Sequence, residues 1–348
     1  MSFHKTLVYW YLQNKRELPW RKTKDPYLVW LSEIMLQQTR VAQGMSYFLK
    51  FSQAFPKVED LANASESEVL KMWQGLGYYS RARNLHFTAK YVENELNGQF
   101  PNNYKELLQL KGVGDYTASA IASICFDEAT AVVDGNVYRV LARYFGIHTP
   151  INSSKGVKDF KQLAQSLIDE KQPGAYNQAI MDFGSMQCKP QSPDCNQCPL
   201  QSSCVAFEKN LVKELPVKEK KLKVKKRFFN YLVFVTEEGK TILEERTGKG
   251  IWQGLYQFPL IETNKPIAIN EFIESEVFLQ KVPEGSTITY SDLGHVVHKL
   301  SHQHLYTHFW IIHTNQLPNA NVSWKEISKY PVPVLISKFL DQFDYKSR

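Results

Sequence analysis

From residue 6 to residue 207 apolar side chains recur at intervals of three and four, the period of helices that each bury one face. Ser65 followed by Glu68 reads as a capping box, and Pro101, Gly112, Gly114, Pro150 and Pro173 punctuate further joins. An all-α domain over residues 1–207 is predicted. The period then changes: 228–235 and 240–244 are short β-branched and aromatic runs joined by Glu238-Gly239, and strands return near 286–291 and 304–313. With helices expected over 270–279 and 334–343, residues 228–348 read as a smaller α+β unit. The intervening 208–227 holds nine Lys/Arg, three Glu and a proline without a continuous apolar face, which predicts a basic linker.

A chain of 348 residues exceeds the usual size of one core and supports two domains. Its 43% hydrophobic content excludes disorder as the main state. No apolar run approaches the roughly 18 residues of a membrane helix, so a soluble, unexported, cytoplasmic monomer with no membrane partner is expected, nucleoid-associated in a bacterium. The net charge of +7 is carried mainly by the linker, so it permits an anionic partner such as nucleic acid without establishing one.

Four of the five cysteines, Cys188, Cys195, Cys198 and Cys204, fall in the pattern C-x6-C-x2-C-x5-C, compact enough for one loop to wrap a metal centre. Zinc and a 4Fe-4S cluster both accept four thiolates, although zinc modules usually pair two C-x2-C knuckles and only one is present. Cys125 stands apart in an apolar run and reads as a buried, inert thiol. Upstream, residues 107–121 (LLQLKGVGDYTASAI) read as two short helices joined by Gly112-Val113-Gly114, a turn that either caps a helix or offers the next helix's N–H groups to a phosphate. His295, His298, His302 and His304 suggest hydrogen-bonding or solvated imidazoles more than a metal site.

Together, the hairpin, the segment VDGNVYRVLAR (133–143) and the cysteine loop resemble the endonuclease III branch of helix-hairpin-helix DNA glycosylases. The segments LPWRKTKDPYLVWLSEIMLQQT (18–39), GLGYYSRARNL (75–85) and GIWQGLYQFP (250–259) narrow the resemblance to the MutY family of adenine DNA glycosylases. It implies a helix-hairpin-helix domain with the hairpin near 107–121 and a 4Fe-4S loop at 188–204, followed by a C-terminal Nudix-like domain. It also implies excision of adenine opposite 8-oxoguanine or guanine in double-stranded DNA, and a monovalent cation at the hairpin.

Chemistry supplies a separate reason to look for two acids, since purine release needs a proton donor for the base and an anion for the oxocarbenium-like sugar. On pattern alone Glu33 could share a solvated helical stripe with Gln37, and Asp134 could be an N-cap. The resemblance makes Glu33 the acid and Asp134 the stabilising or covalent partner, assisted by Tyr116 and Asn136. In bifunctional relatives a nucleophilic lysine stands where this chain has Tyr116, whose phenol cannot form an imine; Lys111 is not in that position. Monofunctional hydrolysis is therefore implied. Trp20, Arg21, Leu36 and Gln178 match the adenine pocket. Gln37, Gln38, Thr39 and Tyr78, with the hairpin glycines Gly112 and Gly114, match DNA-binding positions, Gln38 and Tyr78 serving as wedges into the stack; Tyr78 and Tyr79 could equally be core residues. In the C-terminal unit Leu300-Ser301-His302 matches a Phe-Ser-His recognition loop, leaving Ser301 and His302 as lesion contacts, and no glutamate-rich helix for pyrophosphatase chemistry follows Gly250. The rivals are a thymine-mismatch or endonuclease III-like glycosylase and a non-catalytic DNA-binding protein.

Overall fold

The computed structural model describes residues 2–219, 224–290, 296–315 and 317–345. Two compact units emerge. One combines residues 1–63 with 84–221, and the other combines 64–83 with 222–348. The first is helical. Its helices start where the sequence offers caps: the Asp25 carboxylate accepts from the Tyr27 N–H before Pro26–Leu36, and Ser153 from Gly156 before Ser154–Ser166. The core gathers Trp10, Val140, Leu141, Phe160, Tyr176, Ile180 and Phe183 from helices far apart in sequence. Helix Pro173–Met186 is its spine, packing on Phe3–Asn14, Asp115–Phe126 and Gly135–Phe145.

The second unit is built on a mixed sheet. Strand Lys225–Val235 runs parallel to Gln303–His313 in unbroken register, Lys225 beside Gln303 through Val235 beside His313. Leu260–Thr263 flanks the first strand antiparallel, and Thr287–Tyr290 and Val296–Lys299 pair antiparallel with the second. Phe309 stacks on Phe339 of helix Val334–Leu340 on one face, while Trp310 meets Phe272 and Phe278 on the other. The helix expected over 270–279 is two short ones, Ile269–Ile273 and Glu276–Leu279, each placing one phenylalanine on Trp310.

Three boundaries differ from the sequence pattern. Residues 64–83 belong to the second unit: Lys71 Nζ donates to the Tyr330 carbonyl at 3.1 Å and Arg83 to the Gln253 carbonyl at 2.6 Å. The capping box at Ser65 does form, its hydroxyl accepting from the Glu68 N–H. The linker is shorter than its charge suggests, because Leu211, Val212, buried Leu215 and Val217 pack on the helical core and Lys225 already opens a strand. Charge density marked 208–227, but the apolar residues between the lysines were enough to anchor its first half. Finally, the run 240–244 divides into the two-residue strands Lys240–Thr241 and Glu244–Glu245, which pair with different partners.

Candidate active site

In the first unit a cavity of about 380 Å³ is lined by both Glu33 and Asp134. Tyr116, Asn136, Trp20, Arg21, Leu36, Thr39 and Gln178 line it too, so every residue predicted for catalysis or the adenine pocket converges there. Glu33 occupies the last turns of Pro26–Leu36 and is 7% exposed, which rejects the solvated-stripe reading. Burial pushes its carboxyl up to about 7 and the nearby Asp134 charge adds to this, while hydrogen bonding from Tyr116 and the Arg21 charge oppose it. Glu33 can thus hold a proton near neutrality.

Asp134 is the N-cap of Gly135–Phe145, and its Oδ1 accepts from the Asn136 and Val137 N–H groups, both at 2.8 Å. Its Oδ2 accepts from the Asn136 side-chain amide at 2.7 Å. Burial raises this carboxyl above its ordinary value, but three donors and the Arg139 charge favour the anion. Capping and cavity lining coexist in one side chain. Asn136 also accepts from Arg139 at 2.9 Å, and Arg139 Nε donates to the Cys188 carbonyl at 2.8 Å. Gly184 makes this possible, since a Cβ there would sit 2.7 Å from the Asn136 Cβ.

Tyr116, on the hairpin's second helix, places its hydroxyl 3.2 Å from Met181 Sδ, and burial followed by the Glu33 and Asp134 charges raises its phenol well above the ordinary value. It stays a neutral donor. In the turn before it Gly112 has φ +84°, and a Cβ there would lie 2.8 Å from the Asn84 Cβ, while Gly114 caps Asp115–Phe126; the helix preceding the turn is Tyr104–Leu107, which ends where the pattern placed its start.

The pattern did not single out Arg16, Met181 or Asp182. Arg16 and Met181 line the cavity, and Asp182, fully buried, pairs with Arg16 and with both terminal nitrogens of Arg21, at 2.6 and 2.9 Å. Burial would raise the Asp182 carboxyl, but the two guanidinium groups hold it below the usual range. Only the helical spacing of Met181 and Asp182 from Gln178 (i+3, i+4) hinted at those two, nothing along the chain pointed to Arg16, and Tyr11 fixes Gln178 through a 2.6 Å hydrogen bond. Asp182→Ala would leave two guanidinium groups facing an emptied site; a loss of about 3 kcal/mol, read from urea unfolding, is expected.

Among the predicted DNA contacts, Gln37 Nε2 donates to Thr117 at 3.2 Å, and neither Gln37 nor Gln38 lines the cavity. Gln38 and Tyr78 both adopt left-handed backbone, φ +56° and +48°, conformations uncommon for side-chain-bearing residues and costly unless the surroundings impose them. Tyr79 is buried but Tyr78 is 46% exposed, which separates the core residue from the accessible one. In the second unit Tyr78, Ser301 and His302 line one cavity of about 590 Å³ with Arg83, Trp252 and Leu300. His302 precedes the strand that holds His304, so the two do not form a period-two pair. His298 packs on Trp252 instead, and His295 lies outside the described residues.

The four loop cysteines are free thiols, as is Cys125, and Cys188, Cys198 and Cys204 pack against the helical core. Burial, with the Cys188, Cys204 and Cys195 charges behind it, pushes the Cys198 thiol up to about 11. Arg143 donates to Cys188 Sγ and to the carbonyls of Lys189, Pro190 and Leu215, tying the loop to helix Gly135–Phe145. Among the described residues no group of three His, Cys, Asp or Glu side chains is arranged to hold a single metal ion. Burial also raises Cys125, to about 12, consistent with an inert thiol.

Residues 31–167 match the HhH-GPD superfamily of base excision DNA repair proteins, and 230–342 match the NUDIX domain. The adenine DNA glycosylase of Buchnera aphidicola subsp. Baizongia pistaciae is 35% identical over 316 residues, covering 90% of this chain and 86% of that protein. This chain belongs to the adenine DNA glycosylase family. Membership makes it an enzyme, a hydrolase of N-glycosyl bonds. The adenine DNA glycosylase of Rattus norvegicus is 48% identical over 217 residues, which cover 60% of this chain and 42% of that protein. Among solved structures, a thermostable thymine-DNA glycosylase matches at 33% identity with a TM-score of 0.56, covering 60% of this chain and 95% of its own. The fold expected from sequence, a helix-hairpin-helix glycosylase domain followed by a Nudix-like domain, is the one present. No described helix is long and apolar enough to cross a membrane.

Proposed function

We propose that this enzyme binds duplex DNA and hydrolyses the N-glycosidic bond of adenine mispaired with 8-oxoguanine or guanine, without a lyase step. The observation that carries this reading is the shared cavity of Glu33 and Asp134. An everted adenine meets a carboxyl that holds a proton near neutrality, and Glu33 delivers it to the leaving base. Asp134, with hydrogen bonds favouring its ionised form, faces the positive charge developing on the sugar and stabilises it electrostatically or by a transient covalent bond. Asn136 orients Asp134, and Tyr116 orients Glu33 as a neutral donor. Trp20 and Leu36 supply apolar walls, Gln178 and Arg21 polar edges. Single-turnover release of adenine from an A:8-oxoguanine duplex tests the reading; binding without release would replace it with the DNA-binding rival.

A second expected outcome concerns Tyr116. With no amine at that position, borohydride in the presence of substrate duplex should trap no appreciable protein–DNA adduct, judged by denaturing gel. Efficient trapping would favour the endonuclease III-like rival.

The residues 64–83 and the Leu300–Gln303 loop supply the lesion side of this proposal, with Tyr78 as stacking wedge and Ser301 and His302 as edge contacts. Gln37, Gln38 and Thr39 complete the proposed DNA contacts, and the hairpin at Gly112 and Gly114 the phosphate contact, where a monovalent cation would also sit. For the cysteine loop the donor chemistry fits a 4Fe-4S cluster: four thiols stand in C-x6-C-x2-C-x5-C, and burial, with the neighbouring cysteine charges behind it, raises Cys195, Cys198 and Cys204, so as thiolates they need a shared positive centre. Cys188, Cys195, Cys198 and Cys204 would hold the cluster, which supplies cross-linking of the loop and electron-transfer capacity. Broad absorption in the blue, lost on iron chelation together with stability, is expected of the purified protein.

A further inference from the structure

Where the cavity of Glu33 and Asp134 meets helix Pro173–Met186, three long polar side chains line it: Arg16, Arg21 and Gln178. The two guanidinium groups can only donate hydrogen bonds, and both oxygens of the buried Asp182 that holds them are taken up in doing so. Gln178 differs from them, because an amide offers a carbonyl on one side and an NH2 on the other. Tyr11, which does not line the cavity, donates its hydroxyl to Gln178 Oε1 at 2.6 Å. The amide nitrogen has no protein partner among the described residues. Tyr11 is 7% exposed on Phe3–Asn14, where the adjoining Trp10 packs edge-on against Phe183 of the glutamine's own helix at 5.1 Å, so the two helices hold the bond in place. Burial, against the Arg21 charge, raises the phenol above its ordinary value, and the proton stays on its oxygen.

A phenol donates strongly and accepts weakly, because its oxygen lone pairs are shared with the ring, and the Arg21 guanidinium 5.7 Å from the centre of this ring weakens them further. The bond therefore keeps the amide carbonyl on Tyr11 and leaves the NH2 for the occupant of the cavity. All three polar side chains at this edge then present donors. In a bound adenine the sugar stands beside N3 and the proton from Glu33 is taken at N7, so N1 is the lone pair left for these donors. Hypoxanthine and guanine carry a hydrogen on N1 instead, and a donor facing a donor leaves both unsatisfied. We infer that Tyr11 is a positioning residue for base choice, acting through Gln178 to favour a purine with a free N1 lone pair over one that carries N1–H. This role rests on the excision reading above and adds to it the source of its base selectivity.

The test uses the full chain and two duplexes, one with adenine and one with hypoxanthine opposite 8-oxoguanine, each followed in single turnover. Tyr11→Phe keeps the ring and its packing and removes only the hydroxyl. The freed amide can then turn its carbonyl toward N1–H, so the adenine-to-hypoxanthine rate ratio should narrow by about tenfold relative to the parent enzyme. Comparing ratios divides out any intrinsic difference between the duplexes. An unchanged ratio, whether both rates fall together or neither moves, would reduce Tyr11 to a packing residue and overturn the inference. In a Gln178→Leu background Tyr11→Phe should narrow the ratio no further; a full additional effect there would mean that Tyr11 acts by another route, also against it. Adenine release by the parent reports on the excision reading separately. A parent that releases no adenine sinks that reading, whereas an active parent with an unmoved ratio in the variant sinks only the role of Tyr11.

Discussion

Glu33→Gln is expected to lower single-turnover adenine release by about a thousandfold while duplex affinity stays close to that of the parent enzyme. The substitution keeps volume and polarity in a side chain only 7% exposed, so it removes the transferable proton and little else. The parent rate should depend on pH accordingly. With the Glu33 carboxyl held up to about 7, its acid form is filled below that value and empties above it, so release should be level on the acid side and fall on the alkaline side. Stability gives an independent signature. The unfolded chain loses this proton near 4.5 and the folded chain near 7, so the folded state binds more protons across that window and loses stability as pH rises through it. Above about pH 7 the ionised, buried carboxylate costs on the order of 3 kcal/mol. Glu33→Gln should therefore be more stable than the parent in alkaline solution and nearly equal to it in acid. A variant that lost activity together with alkaline stability would have lost its fold, and the acid role would remain unsupported.

For Asp134, the comparison of two substitutions separates its two tasks. Asparagine caps helices as well as aspartate does, so Asp134→Asn should leave the melting temperature near the parent value. Alanine leaves the Asn136 and Val137 N–H groups without their acceptor and should cost about 1–2 kcal/mol. Both variants lose the negative charge opposite the sugar, and both should lower adenine release by about a hundredfold or more. Because the Asp134 charge helps to raise the Glu33 carboxyl, Asp134→Asn should also move the alkaline fall in rate to lower pH. Activity tracking stability across the pair would reduce Asp134 to a structural cap.

The acidic pair shows what pattern could and could not provide. A glutamate between Trp30 and Met35 is ambiguous in a linear string, because helical period alone puts it as readily on a wet stripe as in a cavity wall. Its burial depends on Tyr116, Asp134 and Gln178, which approach from three other helices. Asp134 was legible as a cap, since Asp-Gly before an apolar run is a local signal, but cavity lining is not local. Asp182 had no sequence signal beyond its spacing from Gln178. Its partners, Arg16 and Arg21, lie more than 160 residues away, and only folding brings them together.

What the sequence determined by itself was the class of each segment: helical period before residue 208, strand period after 227, four cysteines crowded into one loop, and a two-glycine turn before residue 115. These are near-neighbour properties, set by residue type and spacing along a single element. The tertiary structure alone decided that Glu33 and Asp134 share one cavity, that 64–83 joins the C-terminal unit, that the basic 208–227 is half anchored, and that Phe228 and Tyr306 stack across neighbouring strands. Each of these rests on packing between remote segments, where burial sets a carboxyl's charge and register sets which rings meet, and neither quantity is written into any local stretch of the chain.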